Sequence, residues 1–175
     1  MEAKDIIQLL RLQRHDLMND LQIVHGYLSM GKTDKVKLKV NNIIGTLNQE
    51  RTLMNTNCPE FALWLIQMKL QHKHIHFTYD IFTDNKNLLH YDSSLAEIGH
   101  AVEDYILASK FDTITGEINL KYNDNSIDLA VRVTSPTIDC DAWKNHLADK
   151  LNNVLIQVEE LESEVRIIFT IPFAD

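Results

Sequence analysis

Apolar residues recur with a helical period along the first third of the chain. Between residues 3 and 30 the spacings are three, four and seven, an a/d stripe formed by Ile7, Leu10, Leu17, Leu21, Val24 and Leu28. The stretch "GKTD" at residues 31–34 has the composition of a helix stop and a new start, and residues 35–55 resume the period. This pattern predicts an antiparallel helical hairpin.

The apolar stripes also predict an oligomer. Each apolar stripe is too wide for the one neighbouring helix of a hairpin to bury all of its side chains. Two hairpins paired side by side would form a four-helix bundle and bury both stripes. We therefore expect a homodimer.

The pattern changes beyond "NTNCPEF" at residues 55–61. Helical spacing is predicted for residues 60–73, 92–110 and 140–151, the second of these capped by Asp92 or Ser93. Alternating or β-rich segments predict strands at 74–82 and 164–173 and a hairpin around residues 124–125, with "EELESE" (159–164) as a solvated turn. The expected fold is α+β, with helices layered on a small, largely antiparallel sheet. The predicted domains are a hairpin at 1–57 and an α+β domain at 58–175.

Charge and composition narrow the classes of function. The net charge of −8 argues against a broad nucleic-acid surface. Residues 1–57 carry 8 Lys and Arg against 6 Asp and Glu, so the negative charge belongs to the rest of the chain. The longest apolar run, "FALWLI", is too short for a bilayer, and the polar first residues do not resemble a signal peptide. Two cysteines make no disulfide framework. A cytoplasmic protein is expected.

His15 is the candidate for chemistry. On a helical wheel it lies about 145° from the centre of the stripe, and so it points outward. A neutral imidazole is nucleophilic near neutral pH and can accept a phosphoryl group. Asp16 could hold the ring tautomer or accept a proton, and Arg11 or Arg14 could offset phosphoryl charge. Asn19, Gln22 and Gly26 continue the same face. Gly26 has no side chain, so a partner protein could approach the helix closely at that position.

A lone surface histidine usually has no chemical role. The combination is more specific here: an outward His-Asp pair in mid-helix, in a helical hairpin, followed by a mixed α+β domain. The segment "RHDLMNDLQIVHGYLSMGK" (14–32) resembles the active-site helix of the sporulation initiation phosphotransferases of the Bacillus phosphorelay. The order of a helical hairpin and then a domain similar to a degenerate histidine-kinase ATP-binding domain also fits that family.

The resemblance implies a dimeric phosphotransferase whose phosphorylated histidine is His15. In that family a phosphoryl group passes from the aspartate of one single-domain response regulator to the histidine, and then to the aspartate of a transcriptional regulator. The family's neighbouring residues map onto Arg14, Asp16, Asn19 and Gln22. Mg²⁺ is expected in the acidic pocket of the partner regulator, and no nucleic acid or membrane is implied.

No nucleotide site is expected in the second domain. The chain has five glycines and none after Gly116, so no glycine-rich loop follows the predicted strand at 126–134. No Asn lies between Asn87 and Asn119, the span that includes the helix where kinases of this class carry their Mg²⁺-binding Asn. No cofactor or metal is therefore predicted for this chain.

Two alternatives stay open beside this hypothesis. The chain could be a fragment of an active or inactive histidine kinase, or a non-catalytic dimeric adaptor for which His15 is incidental. The histidines of "HKHIH" (His72, His74 and His76) would share one face of a strand and could coordinate a metal ion. Trp64 and Trp143 are expected in a core or an interface.

Overall fold

The computed structural model describes residues 3–72, 74–84, 86–109, 113–134, 139–151, 154–161 and 164–173. The α-helices are α1 (Ala3–Ser29), α2 (Thr33–Met54), α3 (Pro59–Gln71), α4 (Asp92–Ala108) and α5 (Cys140–Lys150), with a short 3₁₀ helix at Leu89–Tyr91. The strands are β1 (Ile75–Phe82), β2 (Ile114–Tyr122), β3 (Ser126–Thr134), β4 (Leu155–Leu161) and β5 (Glu164–Pro172). The predicted order of a helical region and then a mixed domain is confirmed.

The first compact unit comprises residues 1–51 and contains α1 and most of α2. Gly31 is the middle residue of the link between the helices and lies in the left-handed region, at φ +68°, which glycine adopts without steric cost. The Lys39 ammonium lies 2.5 Å from the Asp20 carboxylate, and the Lys35 ammonium lies over the Tyr27 ring at 5.6 Å. These contacts pair residues on either side of the link, as an antiparallel hairpin requires.

The second unit, residues 52–175, is built on one five-stranded sheet of order β1-β2-β3-β5-β4. The strands β1 and β2 are parallel, and the other three neighbouring pairs are antiparallel. Along β3 the buried residues alternate with more exposed ones, from Ile127 to Val133. One face of the sheet is therefore apolar and packs against helices, as predicted.

The core of this unit joins that sheet face to helices α3, α4 and α5. Both tryptophans are buried, Trp64 on α3 and Trp143 on α5, as the sequence predicted. Leu53 and Thr56 are also buried, although they precede the boundary predicted at residues 57 and 58. Their burial places the division between the compact units at Arg51 and Thr52.

The prediction of a solvated turn between strands at residues 159–164 is wrong for residues 159–161 and 164, which lie in strands, while residues 162 and 163 lie outside the described residues. Residues 155–161 form β4, which pairs with β5 from Leu155 opposite Thr170 to Leu161 opposite Glu164. The strand lies at the edge of the sheet, where one side of its backbone has no neighbouring strand. Edge strands tolerate charged and polar residues. Glu159 and Glu160 therefore interrupt the alternation of apolar and polar residues from which a strand would be predicted.

The capping prediction for α4 is also wrong. Asp92 is the first residue of α4, and no side-chain hydrogen bond caps that helix. Its carboxylate instead accepts hydrogen bonds from the backbone N–H groups of Glu60 (3.1 Å) and Phe61 (2.9 Å), in the first turn of α3. Asp92 thus caps a neighbouring helix, because it is buried against the start of α3 rather than facing its own first turn.

Candidate functional site

The candidate site lies in the middle of α1, on a helix with no fully buried residue in the single chain. The His15 side chain is 64% exposed. No proline or positive-φ residue interrupts the helix from Ala3 to Ser29, so side chains four residues apart stack on one face. His15 is therefore open to a second molecule, as the helical wheel predicted.

The hydrogen-bonding partners of the His15 ring are both on the same helix. Nδ1 lies 3.2 Å from Asp16 Oδ1 and 3.3 Å from the Asn19 side-chain nitrogen. Within the described part of the chain, Nε2 has no partner. An acceptor at Nδ1 favours the tautomer with hydrogen on Nδ1, which leaves a lone pair on Nε2. The exposed nitrogen is thus the one able to act as a nucleophile.

The other predicted site residues also lie on α1. Arg11, Arg14 and Gln22 are exposed, and among the described residues neither arginine makes an ion pair with Asp16. Their side chains are available to a partner. The structure brings only Asp16 and Asn19 into contact with His15.

Gly26 is not required by the packing of its own chain. A Cβ built at this position would meet nothing within 4 Å, and the same holds for Gly45 on α2. Both glycines lie inside helices, where glycine is destabilising relative to alanine. A close approach by another molecule would explain Gly26, and that role remains a prediction.

The helices of the first unit leave large apolar side chains uncovered. Leu10 is 53% exposed, Leu21 is 48% exposed and Leu47 on α2 is 52% exposed. Scattered exposed leucines are ordinary, but here they continue along the predicted stripe of α1. The surface residues of that stripe are Ile7, Leu10, Leu17, Leu21 and Leu28.

The histidines of "HKHIH" do not share one strand face. His72 directly follows α3, His74 lies in a turn, and only His76 lies in β1. The His72 ring instead meets α4, with Nε2 3.0 Å from Glu103 Oε1. No group of three or more His, Cys, Asp or Glu side chains that could hold a metal is present among the residues described here.

Glu103 is a partly buried junction that the sequence did not indicate. Its carboxylate accepts a hydrogen bond from Trp64 Nε1 at 3.1 Å and lies 3.4 Å from His100 Nδ1 on the same helix. With His72 it joins α3 to α4. The i, i+3 spacing of His100 and Glu103 was visible in the sequence, but the contacts with Trp64 and His72 depend on the packing of the two helices.

Comparison with known proteins supports the resemblance for part of the chain. Residues 1–56 match the model of a family described as the Spo0B-type sensor kinase, alpha-helical domain. The chain is 30% identical over 96 residues to sporulation initiation phosphotransferase B of Bacillus subtilis (strain 168). The alignment covers 55% of this chain, and the chain spans about half the length of that relative (50%). The family resemblance inferred from residues 14–32 is confirmed for the helical region.

Two solved structures of histidine kinases align with most of this chain at low identity. Histidine kinase AdeS of Acinetobacter baumannii is 15% identical, with a TM-score of 0.48, over 92% of this chain and 98% of that one. Histidine kinase ThkA, solved in complex with the response regulator protein TrrA, is 12% identical, with a TM-score of 0.46, over 95% of this chain and 61% of that one. No described helix of this chain is both long and apolar enough to span a membrane.

Proposed function

We propose that this chain is a phosphorelay phosphotransferase that carries a phosphoryl group on His15 between the aspartates of two response regulators. The observation that carries the proposal is the His15 ring itself, exposed in mid-helix with Nδ1 beside Asp16. The match of residues 1–56 to the Spo0B-type helical domain and the similarity to a sporulation phosphotransferase support it. By the same similarity, the pathway served is the initiation of sporulation.

The reaction needs one bond to form while another breaks. The Nε2 lone pair forms an N–P bond as the O–P bond of the aspartyl phosphate breaks, and the donor aspartate leaves as a carboxylate. In the second step the carboxylate of the acceptor regulator attacks the same phosphorus, and the electron pair of the N–P bond returns to Nε2. Both phosphorylated forms are energy-rich, so positioning of His15 in line with the phosphorus is the main task of the protein.

The face around His15 suits a regulator. Arg11 and Arg14 can approach the phosphoryl oxygens or the acidic rim of a phosphorylation pocket, because both side chains are exposed on the same helix. Asn19, Gln22 and Gly26 extend the contact along α1. We place Mg²⁺ in the regulator's pocket, because the hairpin offers only Asp16 and Asp20 close to His15.

The active form in this proposal is a homodimer. Its basis is the row of half-exposed leucines along α1, with Leu47 on α2, in the isolated hairpin. Pairing two hairpins would remove these side chains from water, and each fully buried leucine contributes about 2 kcal/mol. The interface is the one predicted from the apolar stripes.

Phosphoryl transfer in this proposal is independent of ATP. The support is in the sequence, which lacks glycine-rich loops after β3 and lacks Asn throughout α4. Binding of Mg-ATP with micromolar affinity in a calorimeter would favour the alternative of a histidine-kinase fragment.

The decisive experiment is transfer of radioactive phosphate from a phosphorylated response regulator. The wild-type protein should acquire a label that is labile in acid and stable in base, and it should pass the label to a second regulator. His15→Ala and His15→Gln should acquire none. His25→Ala is the matched control, because His25 is an exposed histidine on the same helix, and it should behave as the wild type. Labelling of His15→Ala at the wild-type rate would refute the assignment, and no labelling of the wild-type protein would favour the adaptor.

A further inference from the structure

Helix α5 is held to the rest of the second unit by few buried side chains. Only two of its residues are buried, Trp143 and Leu147, whereas α3 has six buried residues and α4 has eight. The helix lies against α4 and against the edge strand β4. Because burial of apolar area is the main term that holds a helix on a core, α5 is the least firmly attached of these three helices.

The contact between α5 and α4 is aromatic at its centre. The Trp143 indole stacks on the Tyr105 ring of α4, with ring centroids 4.9 Å apart and an angle of 7° between the planes. The His146 ring contacts the same Tyr105 ring, at a centroid distance of 5.5 Å. Residues three apart in a helix lie on one face, so Trp143 and His146 belong to a single contact.

Two ring nitrogens in this contact are buried without a partner. Trp143 Nε1 and His146 Nε2 are shielded from solvent, and neither forms a hydrogen bond with any residue that the structure describes. A polar nitrogen that leaves water without gaining a partner loses the hydrogen bond that it makes in the unfolded chain. The closed contact therefore carries a cost that separation of the two helices would remove.

The polar contacts between α4 and α5 lie at the surface and offset little of this cost. The Tyr105 hydroxyl donates to the Asp139 carbonyl at 3.1 Å, and the Lys150 ammonium pairs with the Asp104 carboxylate. The ion-paired side chains are 41% and 57% exposed, so solvent screens them. Asp139 also accepts a hydrogen bond from the Ala142 N–H at 2.9 Å, which stabilises the first turn of α5 and not its attachment to α4.

We propose that α5 opens as a unit from α4 and β4 while the sheet stays folded, and that the unpaired nitrogens of Trp143 and His146 set how often it opens. In water both nitrogens find partners, so the open form regains what the closed form loses. Opening uncovers the Tyr105 ring and part of β4. The fold thus contains a strap over one edge of the sheet. The inference does not depend on phosphoryl transfer by His15.

The first test is native-state hydrogen exchange in low concentrations of urea, followed by mass spectrometry. Amides of a segment that opens as a unit share one free energy of opening, which falls slightly with urea, whereas fraying does not depend on urea. The amides of α5 should share such a value and should open at least about tenfold more often than those of β3 and β5. Exchange of α5 at the same opening frequency as β3, or exchange without any dependence on urea, would overturn the inference.

The second test removes one unpaired nitrogen. Leucine is close to histidine in volume and has no polar side-chain atom, so His146→Leu should make the opening of α5 about five- to tenfold rarer. Asn145→Leu is the matched control, because Asn145 is exposed beside His146, and asparagine and histidine have similar helix propensities. It should change the opening about twofold at most.

The two substitutions separate the unpaired nitrogen from helix propensity. An equal effect of His146→Leu and Asn145→Leu, or more frequent opening in His146→Leu, would refute the role of His146 Nε2. Circular dichroism establishes that each variant is folded. If a variant fails to fold, the exchange pattern of the wild-type protein still decides whether α5 opens separately from the sheet.

Discussion

The Asp92 carboxylate, on the first residue of α4, accepts a hydrogen bond of 2.9 Å from the backbone N–H of Phe61 in α3. A second bond, from the N–H of Glu60, completes the cap. Removing a capping carboxylate from a helix start costs about 1 to 2 kcal/mol. Asp92→Ala should therefore lower the free energy of unfolding of the second unit by about that amount.

Urea unfolding followed by tryptophan fluorescence measures this effect, since both tryptophans lie in the second unit. Ser93→Ala is the control, because Ser93 is exposed at the next position of α4 and was an equal candidate for the cap. It should change the unfolding midpoint little. A larger loss in Ser93→Ala than in Asp92→Ala would contradict the cap.

The site of phosphorylation on the ring is the second prediction. Asp16 and Asn19 occupy Nδ1, so the phosphoryl group should be attached to Nε2. Phosphorus and nitrogen NMR of protein labelled by a regulator distinguishes the two isomers. A phosphoryl group found on Nδ1 would show that the contacts to Asp16 and Asn19 are broken during transfer.

The third prediction concerns the dimer. Leu10→Glu places a charge in the exposed stripe of α1, and burying that charge in a bundle would cost several kcal/mol. The variant should be monomeric at micromolar concentration by light scattering, while the wild type should be dimeric. Gln8→Glu adds the same charge to an exposed polar position of the same helix, and it should stay dimeric. A monomeric wild type would remove the basis for the bundle.

The fourth prediction uses the glycines inside the hairpin. An added Cβ meets nothing at Gly26 or Gly45, so alanine at either position should raise helix stability by about 0.5 to 1 kcal/mol. A bulkier side chain, as in Gly26→Leu, should also leave the hairpin folded. It should slow transfer from a regulator at least tenfold, because it stands on the proposed docking face.

Gly45→Leu is the matched control, and it should transfer at the wild-type rate if docking occurs along α1. Circular dichroism and light scattering establish that each variant is helical and keeps the wild-type mass. Equal rates for Gly26→Leu and the wild type would exclude Gly26 from the docking face.

The fifth prediction is a difference between the cysteines. Burial raises the pKa of Cys58 to about 11, and the side chain is only 2% exposed. A raised pKa keeps the thiol protonated near pH 8, where the reactive thiolate of an ordinary cysteine begins to form. Cys140 also has a raised pKa from burial, but it is only partly buried.

Iodoacetamide near pH 8 should therefore modify Cys140 first, and Cys58 only after the second unit unfolds, as read by peptide mass spectrometry. The sign of the linked stability follows from the same shift. Between the ordinary value of 9.0 and about 11 the unfolded thiol loses its proton while the folded thiol keeps it, so stability falls as the pH rises through that window. Modification of Cys58 at the rate of Cys140 in the folded protein would contradict this burial.

Some features of the chain depend on residues that are close in sequence, and these were predictable. The period of Leu10, Leu17 and Leu21 defined α1 and placed His15 away from the stripe, because a helix face depends only on spacing. The alternation from Ile127 to Val133 defined a strand with one buried face for the same reason.

Other features depend on long-range contacts, and only the tertiary structure decided them. Whether Asp92 caps its own helix or α3, and whether His72 meets His76 or Glu103, depend on residues 31 positions away in the sequence. The sequence by itself determined that His15 lies on an exposed face in the middle of a helix. The contacts of its Nδ1 with Asp16 and Asn19 are local, one and four residues away on the same helix, and they follow from side-chain rotamers rather than from tertiary packing.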